Sequence, residues 1–174
     1  MISAEQWSRI RRTWDHVLKS STHYSVASVC PDGTPHVTPI GSVFLTEPGA
    51  GFYLDLFNTQ LAENLAANPR VMILGVDSSK PMWLLSLLRR RFVRPPGVRL
   101  TATVGPRRPA TADEVKRLHR ALGPLVRTPG GQLLWQKAPY ARDLRIESVV
   151  PLRIGRMTES HPDAQIPATE VNAS

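Results

Sequence analysis

The sequence predicts an α+β fold that is mainly antiparallel β with peripheral helices. Three observations carry this. Short β-branched segments alternate with Pro- and Gly-containing turns. Sixteen prolines punctuate the chain, favouring many short elements over a few long helices. Helical apolar spacing is confined to a few segments, two of which open with a capping box.

The elements follow in order. Ser3 with Gln6 three residues later opens a helix whose apolar face is Trp7, Ile10, Trp14, Val17 and Leu18. From Thr22 the period changes. Residues 23–30 read as a strand, Pro31-Asp-Gly-Thr34 as a turn and residues 35–46 as a second strand, which Pro39 and Gly41 must bend. Glu47 to Gly51 is a turn and residues 51–57 a third strand, so the simplest arrangement is a three-strand meander. Thr59, as N-cap, starts a short helix to Ala67 that Pro69 stops, and residues 70–76 form a buried strand. Residues 81–92 read as an inserted amphipathic helix, 98–104 as a half-exposed strand, and 112–122 as a helix capped by Thr111 and Glu114. Thr128 to Gly131 reads as a loop and 144–154 as the last strand. Residues 1–160 are expected to form one domain, and 161–174 a flexible polar tail.

Composition narrows the function classes. Cys30 is the only cysteine, which forbids an internal disulfide and points to a reducing, cytoplasmic setting. The first residues lack a basic stretch followed by an apolar core, arguing against secretion. The strongest apolar run, Met82 to Leu88, is interrupted by Ser86, ends in Arg89-Arg90-Arg91 and falls far short of the roughly 20 residues of a membrane span. Residues 1–79 hold five Lys/Arg against seven Asp/Glu, whereas residues 80–174 hold 17 against seven, so all the excess positive charge lies in the second half. That suits a phosphorylated ligand, an anionic surface or plain solvated charge. No interleaved basic and aromatic motif points to nucleic acid. The five histidines, His16, His23, His36, His119 and His161, show no metal-ligand spacing, so no metal site is expected.

Ser28-Val-Cys-Pro-Asp-Gly-Thr-Pro-His-Val-Thr-Pro-Ile40, Gly51-Phe-Tyr-Leu54 and Asn64-Leu-Ala-Ala-Asn-Pro-Arg-Val71, spaced as they are here, resemble the pyridoxamine 5′-phosphate oxidase-like family of FMN-binding split barrels. The resemblance implies a six-stranded antiparallel split β-barrel, a homodimer with the cofactor in the seam between subunits, and flavin-dependent oxidation or reduction of a small molecule. It implies that the bent strand at Thr38, Pro39, Ile40 and Ser42 meets the flat ring, with Asn64 as a further contact; Asp55 suits either a contact to the ring or ribityl group or a salt bridge on the strand's open face. The start of the short helix, Asn58, Thr59 and Gln60, would seat the phosphate on free N–H groups. The sequence departs from the family where its phosphate-binding members carry a Ser-Arg-Lys-like triplet: Thr59, Gln60 and Leu61 stand here, without either cation. Arg89 to Arg91, Arg94 and Arg99 are the substitutes the sequence offers. Similar barrels using deazaflavin, or haem with a C-terminal histidine such as His161, are the alternatives, as is a non-catalytic polyanion-binding protein. The segment Trp83 to Phe92 fits a lid or a dimer contact equally, and a lipid contact least, since one short helix carries it.

Overall fold

The computed structural model describes residues 3–159 and the backbone of 169–170. Helix α1 (Ala4–Ser21) starts with the Ser3/Gln6 capping box and ends at Thr22, whose left-handed φ of 61° turns the chain into the sheet. Strands β1 (Tyr24–Val29), β2 (Pro35–Ile40), β3 (Val43–Leu45) and β4 (Ala50–Leu54) precede α2 (Thr59–Ala67) and β5 (Arg70–Val76). Then follow α3 (Lys80–Arg89), β6 (Gly97–Pro109), α4 (Ala112–Leu122), a 3₁₀ turn at Gly123–Arg127, α5 (Pro129–Trp135), β7 (Tyr140–Pro151), α6 (Arg156–Glu159) and β8 (Thr169–Glu170).

All strands pair antiparallel in the order β2-β1-β5-β6-β7-β4-β3, with β8 added on β7. The two ends of that path, β2 and β3, are consecutive in the chain. Three peptide steps from Ile40 to Val43 span at most about 11 Å, so the sheet curls until its edges meet. This is the split barrel the sequence predicts, with one correction. The expected continuous strand over 35–46 is two strands on opposite edges, so the meander becomes two hairpins and the path has seven strands rather than six. The cause is local. A Cβ at Gly41 would lie 2.9 Å from the Thr22 carbonyl oxygen, so only glycine allows the chain to break there against the end of α1.

Several further boundaries differ from the sequence reading: β4 stops at Leu54 rather than 57, β6 runs on to Pro109 rather than 104, and β7 spans Tyr140–Pro151 rather than 144–154. Asn58, not Thr59, is the N-cap of α2, and Thr59 is its first helical residue. The stretch expected as a loop at 128–131 starts a helix, because the Thr128 hydroxyl accepts from Gly131 N (3.0 Å) and Pro129 fits the first helical position.

The core lies between α1 and the concave face of the sheet. Trp14 is fully buried and stacks on Tyr24 with centroids 4.2 Å apart. Its indole donates to the Val43 carbonyl (3.1 Å), while the Tyr24 hydroxyl donates to the Trp14 carbonyl (2.9 Å). Trp7 donates to Thr46 O (3.0 Å). Both helix tryptophans therefore combine large apolar burial with a satisfied polar tip. Val26, Val71, Ile73, Leu100, Ile146 and Val149 complete the packed layer, alternating along each strand except across the bulge between Ile146 and Ser148. A smaller cluster of Phe44, Phe52, Leu54, Leu118 and Ala141 joins α4 to β4 and β7.

A neutral cleft at the β2–β3 break

The break at Gly41 opens a cleft of about 360 Å³ between the barrel edge and the α4–α5 hairpin. Pro39, Ile40, Gly41 and Ser42 form its floor, and Leu54, Leu56, Phe57 and Asn58 one wall. Leu118, Leu122, Leu125, Leu134 and Trp135 form the roof, with Thr22 at one corner. Among the described residues, none that lines the cleft is charged. The roof is held in place locally: Thr111 and Glu114 close a capping box on α4, and His119 Nε2 lies 3.0 Å from the Trp135 carbonyl, tying α4 to the end of α5. Phe57, at the mouth, has φ 59° and is 75% exposed. A left-handed aromatic costs energy, and such strain gathers where a surrounding site imposes it.

The expected site residues divide accordingly. Pro39, Ile40, Ser42 and Asn58 line the cleft. The Ser42 hydroxyl is already engaged, donating to Leu54 O (3.0 Å) and accepting from Leu54 N (3.3 Å), so it pins β4. Thr38 lies one residue outside, with its hydroxyl 3.3 Å from His36 Nδ1. Thr59 and Gln60 are exposed in the first turn of α2, next to the cleft wall at Asn58. Asn58 gives α2 no side-chain cap, so the first-turn N–H groups receive no bond from it. Asn64 is fully buried: its amide donates to Ser28 Oγ (2.9 Å) and its oxygen accepts from Gln60 (3.1 Å), fastening α2 to β1. Asp55 faces away into a buried ion pair with Arg142 (2.9 Å) and a second contact with Arg107 (3.3 Å). Nearby Tyr53 is buried without a hydrogen-bond partner among the described residues, and burial pushes its hydroxyl pKa upward.

None of the arginines expected to replace the missing cations lines the cleft. Arg94 is bound to the buried Asp77 carboxylate (2.5 Å), Arg99 is exposed on β6, and Arg89 to Arg91 are exposed at the end of α3 and just beyond it. His161 lies outside the described residues. Among the described residues, no set of His, Cys, Asp and Glu is grouped to hold a metal ion, and no helix is long and apolar enough to cross a membrane. The sequence reading missed the roof, although Thr128-Pro129 carried a helix-start signal and Leu118, Leu122 and Leu125 sit at helical spacing.

An antiparallel sheet curled on itself, carrying helices and a cleft at the break in its edge strand, defines the split-barrel class of folds. Solved structures share it. An FMN-binding protein from Syntrophomonas wolfei superposes with a TM-score of 0.58 at 10% identity, over 86% of this chain and 87% of its own. HupZ from Group A Streptococcus gives 0.53 at 18% identity over the whole of both chains. An F420 reductase gives 0.52 at 20% identity, over 78% of this chain and 94% of its own. At these identities the likeness is one of fold. No curated protein matches the chain. The family model for pyridoxamine 5′-phosphate oxidase matches residues 10–147, and the chain belongs to that family.

Proposed function

We propose that the cleft at the β2–β3 break holds the ring system of a flavin-type cofactor, FMN or the deazaflavin F420, in a homodimeric oxidoreductase acting on a small molecule. One observation carries this reading: the cleft is neutral, largely apolar and floored by bent backbone at Pro39 to Ser42, which suits a flat, uncharged ring. The solved relatives that bind FMN or use F420 support the same class.

The fit differs along the cofactor. The ring end has walls of the right character. Among the described residues the phosphate end offers no cation lining the cleft, only the first-turn N–H groups of α2 and the hydroxyl of Thr59. Each missing charge-assisted contact is worth about 1.5–3 kcal/mol, so FMN affinity is expected to be well below that of relatives with both cations. A flavin ring supplies hydride chemistry at its N5 when bound. The chain's own part is to orient that ring by backbone groups of the bent strand and to exclude water with the leucines of the roof. A subunit seam is supported by the convex side of the sheet. There Val37 and Met72 flank Ala27 in one cross-strand row and are 62% and 42% exposed.

The test is titration of the purified protein with FMN and with F420, read by absorbance and quenching of flavin fluorescence. Uptake of either, abolished or strongly weakened by Thr59→Glu through like-charge repulsion, is the expected result. Failure to take up both defeats the reading. Unchanged FMN affinity in Thr59→Glu moves the phosphate away from α2. A monomeric mass in solution rejects the homodimer.

A further inference from the structure

Helix α3 is built the wrong way round for a surface helix in water. Its inward residues are Met82, Trp83 and Ser86, and Ser86 is buried with its hydroxyl donating to Met82 O (2.7 Å). Its outward residues are Leu84, Leu85, Leu87 and Leu88, exposed by 61, 44, 58 and 74%. At 3.6 residues per turn these four leucines cover about 160° of the helix surface. Val93, 61% exposed, extends the patch past the helix end. Contiguous exposed apolar surface of this kind marks an interaction site.

The helix is anchored at both ends. The Trp83 indole donates to the Asp77 carbonyl (2.7 Å) and meets Phe92 edge-on, with centroids 5.2 Å apart. Buried Asp77 accepts from Ser79 N (2.9 Å) and binds Arg94 (2.5 Å), holding together the residues before and after α3. The leucines are therefore displayed by a fixed plate.

Its charge has one sign. Residues 80–109 contain eight Lys/Arg and no Asp or Glu. Arg94, Arg107 and Arg108 are bound to carboxylates, whereas Arg89, Arg90 and Arg91 are exposed and pair with no carboxylate among the described residues. Arg90, left-handed at φ 53°, curls this triplet around the end of the leucine face.

We infer that α3 and Arg89 to Arg91 form an interfacial plate that rests on an anionic lipid surface, the leucines entering the headgroup boundary and the arginines meeting lipid phosphates. The placement of the helix sets aside the other occupants. A lid over the cleft is excluded because no α3 residue lines it. A two-fold contact would set this surface against its own copy, whose residues 80–109 offer the arginines no carboxylate. Nucleic acid would use the arginines but leave the leucines in water. An anionic bilayer accepts both, which is the pattern of an amphipathic helix lying in the interface plane, and the outward exposure of all four leucines thereby reverses the ranking the sequence suggested, which put lipid last.

The test is co-sedimentation of the full chain with vesicles of phosphatidylcholine alone and of phosphatidylcholine mixed with phosphatidylglycerol. Binding only to the mixed vesicles, falling as salt is raised, is expected. Replacing all three arginines by glutamine should lower the partition coefficient on the order of a hundredfold. Leu84→Glu with Leu88→Glu should abolish binding with the thermal midpoint unchanged, since both side chains are exposed. No binding to the mixed vesicles, equal binding to neutral vesicles, or full binding by either variant overturns the inference. A loss of oligomeric mass in the leucine variant, without vesicle binding by the parent protein, assigns the face to a second copy instead.

Discussion

Asp55 offers the sharpest check on the site geometry. Its carboxylate is 5% exposed and sits 2.9 Å from Arg142, whose side chain is 13% exposed, and 3.3 Å from Arg107, which is half exposed. Asp55→Ala strands Arg142 as a buried, uncompensated cation, and breaking a buried pair from one side costs about 3–5 kcal/mol. The contact to half-exposed Arg107 adds at most about 1 kcal/mol. Arg142 retains some access to water and also reaches the Gly105 carbonyl at 3.4 Å, so the lower end, about 3 kcal/mol, is expected for the substitution. For a chain of this length that corresponds to a fall of roughly 6–12 °C in the unfolding midpoint. Guanidinium denaturation of the parent, Asp55→Ala and the double variant Asp55→Leu with Arg142→Met measures it. The double variant should regain most of the loss, because removing both charges leaves nothing uncompensated. A single-variant loss under about 1 kcal/mol, the value of an exposed pair, refutes the argument, as does a double variant as damaged as the single. An Asp55→Asn variant that folds normally but loses flavin affinity would instead make this carboxylate a cofactor ligand.

Two other predictions bear on the roof and on acid stability. A Cβ at Gly131 would run into the Leu125 carbonyl, so Gly131→Ala should detach α5 from the 3₁₀ turn. Hydrogen exchange should then lose protection over 129–135 while β5 and β6 stay protected; unchanged protection there contradicts the geometry. Several carboxylates are held below their ordinary range: Glu114 by hydrogen bonds from Arg108, and Glu147 by its bond from the Thr103 hydroxyl. For Asp77, hydrogen bonds from Ser79 and the Arg94 charge outweigh burial. A depressed folded pKa contributes stability that is present above the unfolded value, about 4.3 for Glu and 3.9 for Asp, and is lost as the pH falls through the folded value. Stability should therefore be flat from neutrality to about pH 5 and decline below it, with a shallower decline in Glu114→Gln; an equally steep decline in that variant removes Glu114 from the cause.

Where the determining contact lies within a few residues, the sequence by itself determined the outcome. The Ser3/Gln6 and Thr111/Glu114 capping boxes, the helix over 59–67 and the strand over 70–76 depend on near-neighbour hydrogen bonds and apolar periodicity, and both are written in the local chain. The spaced motifs over 28–71 carried the family as well. Tertiary structure alone decided what depends on distant partners. Gly41 marked a bend in the sequence, but only the Thr22 carbonyl beside it makes the bend a break that sends β2 and β3 to opposite sheet edges. Asp55 could serve a ring or a salt bridge until Arg142, 87 residues away, occupied it. The roof over Pro39 and Ile40 comes from residues 118–135, and the outward turn of the α3 leucines follows from where Trp83 and Asp77 fasten that helix. Periodicity states which side chains share a face; only packing settles which way that face points.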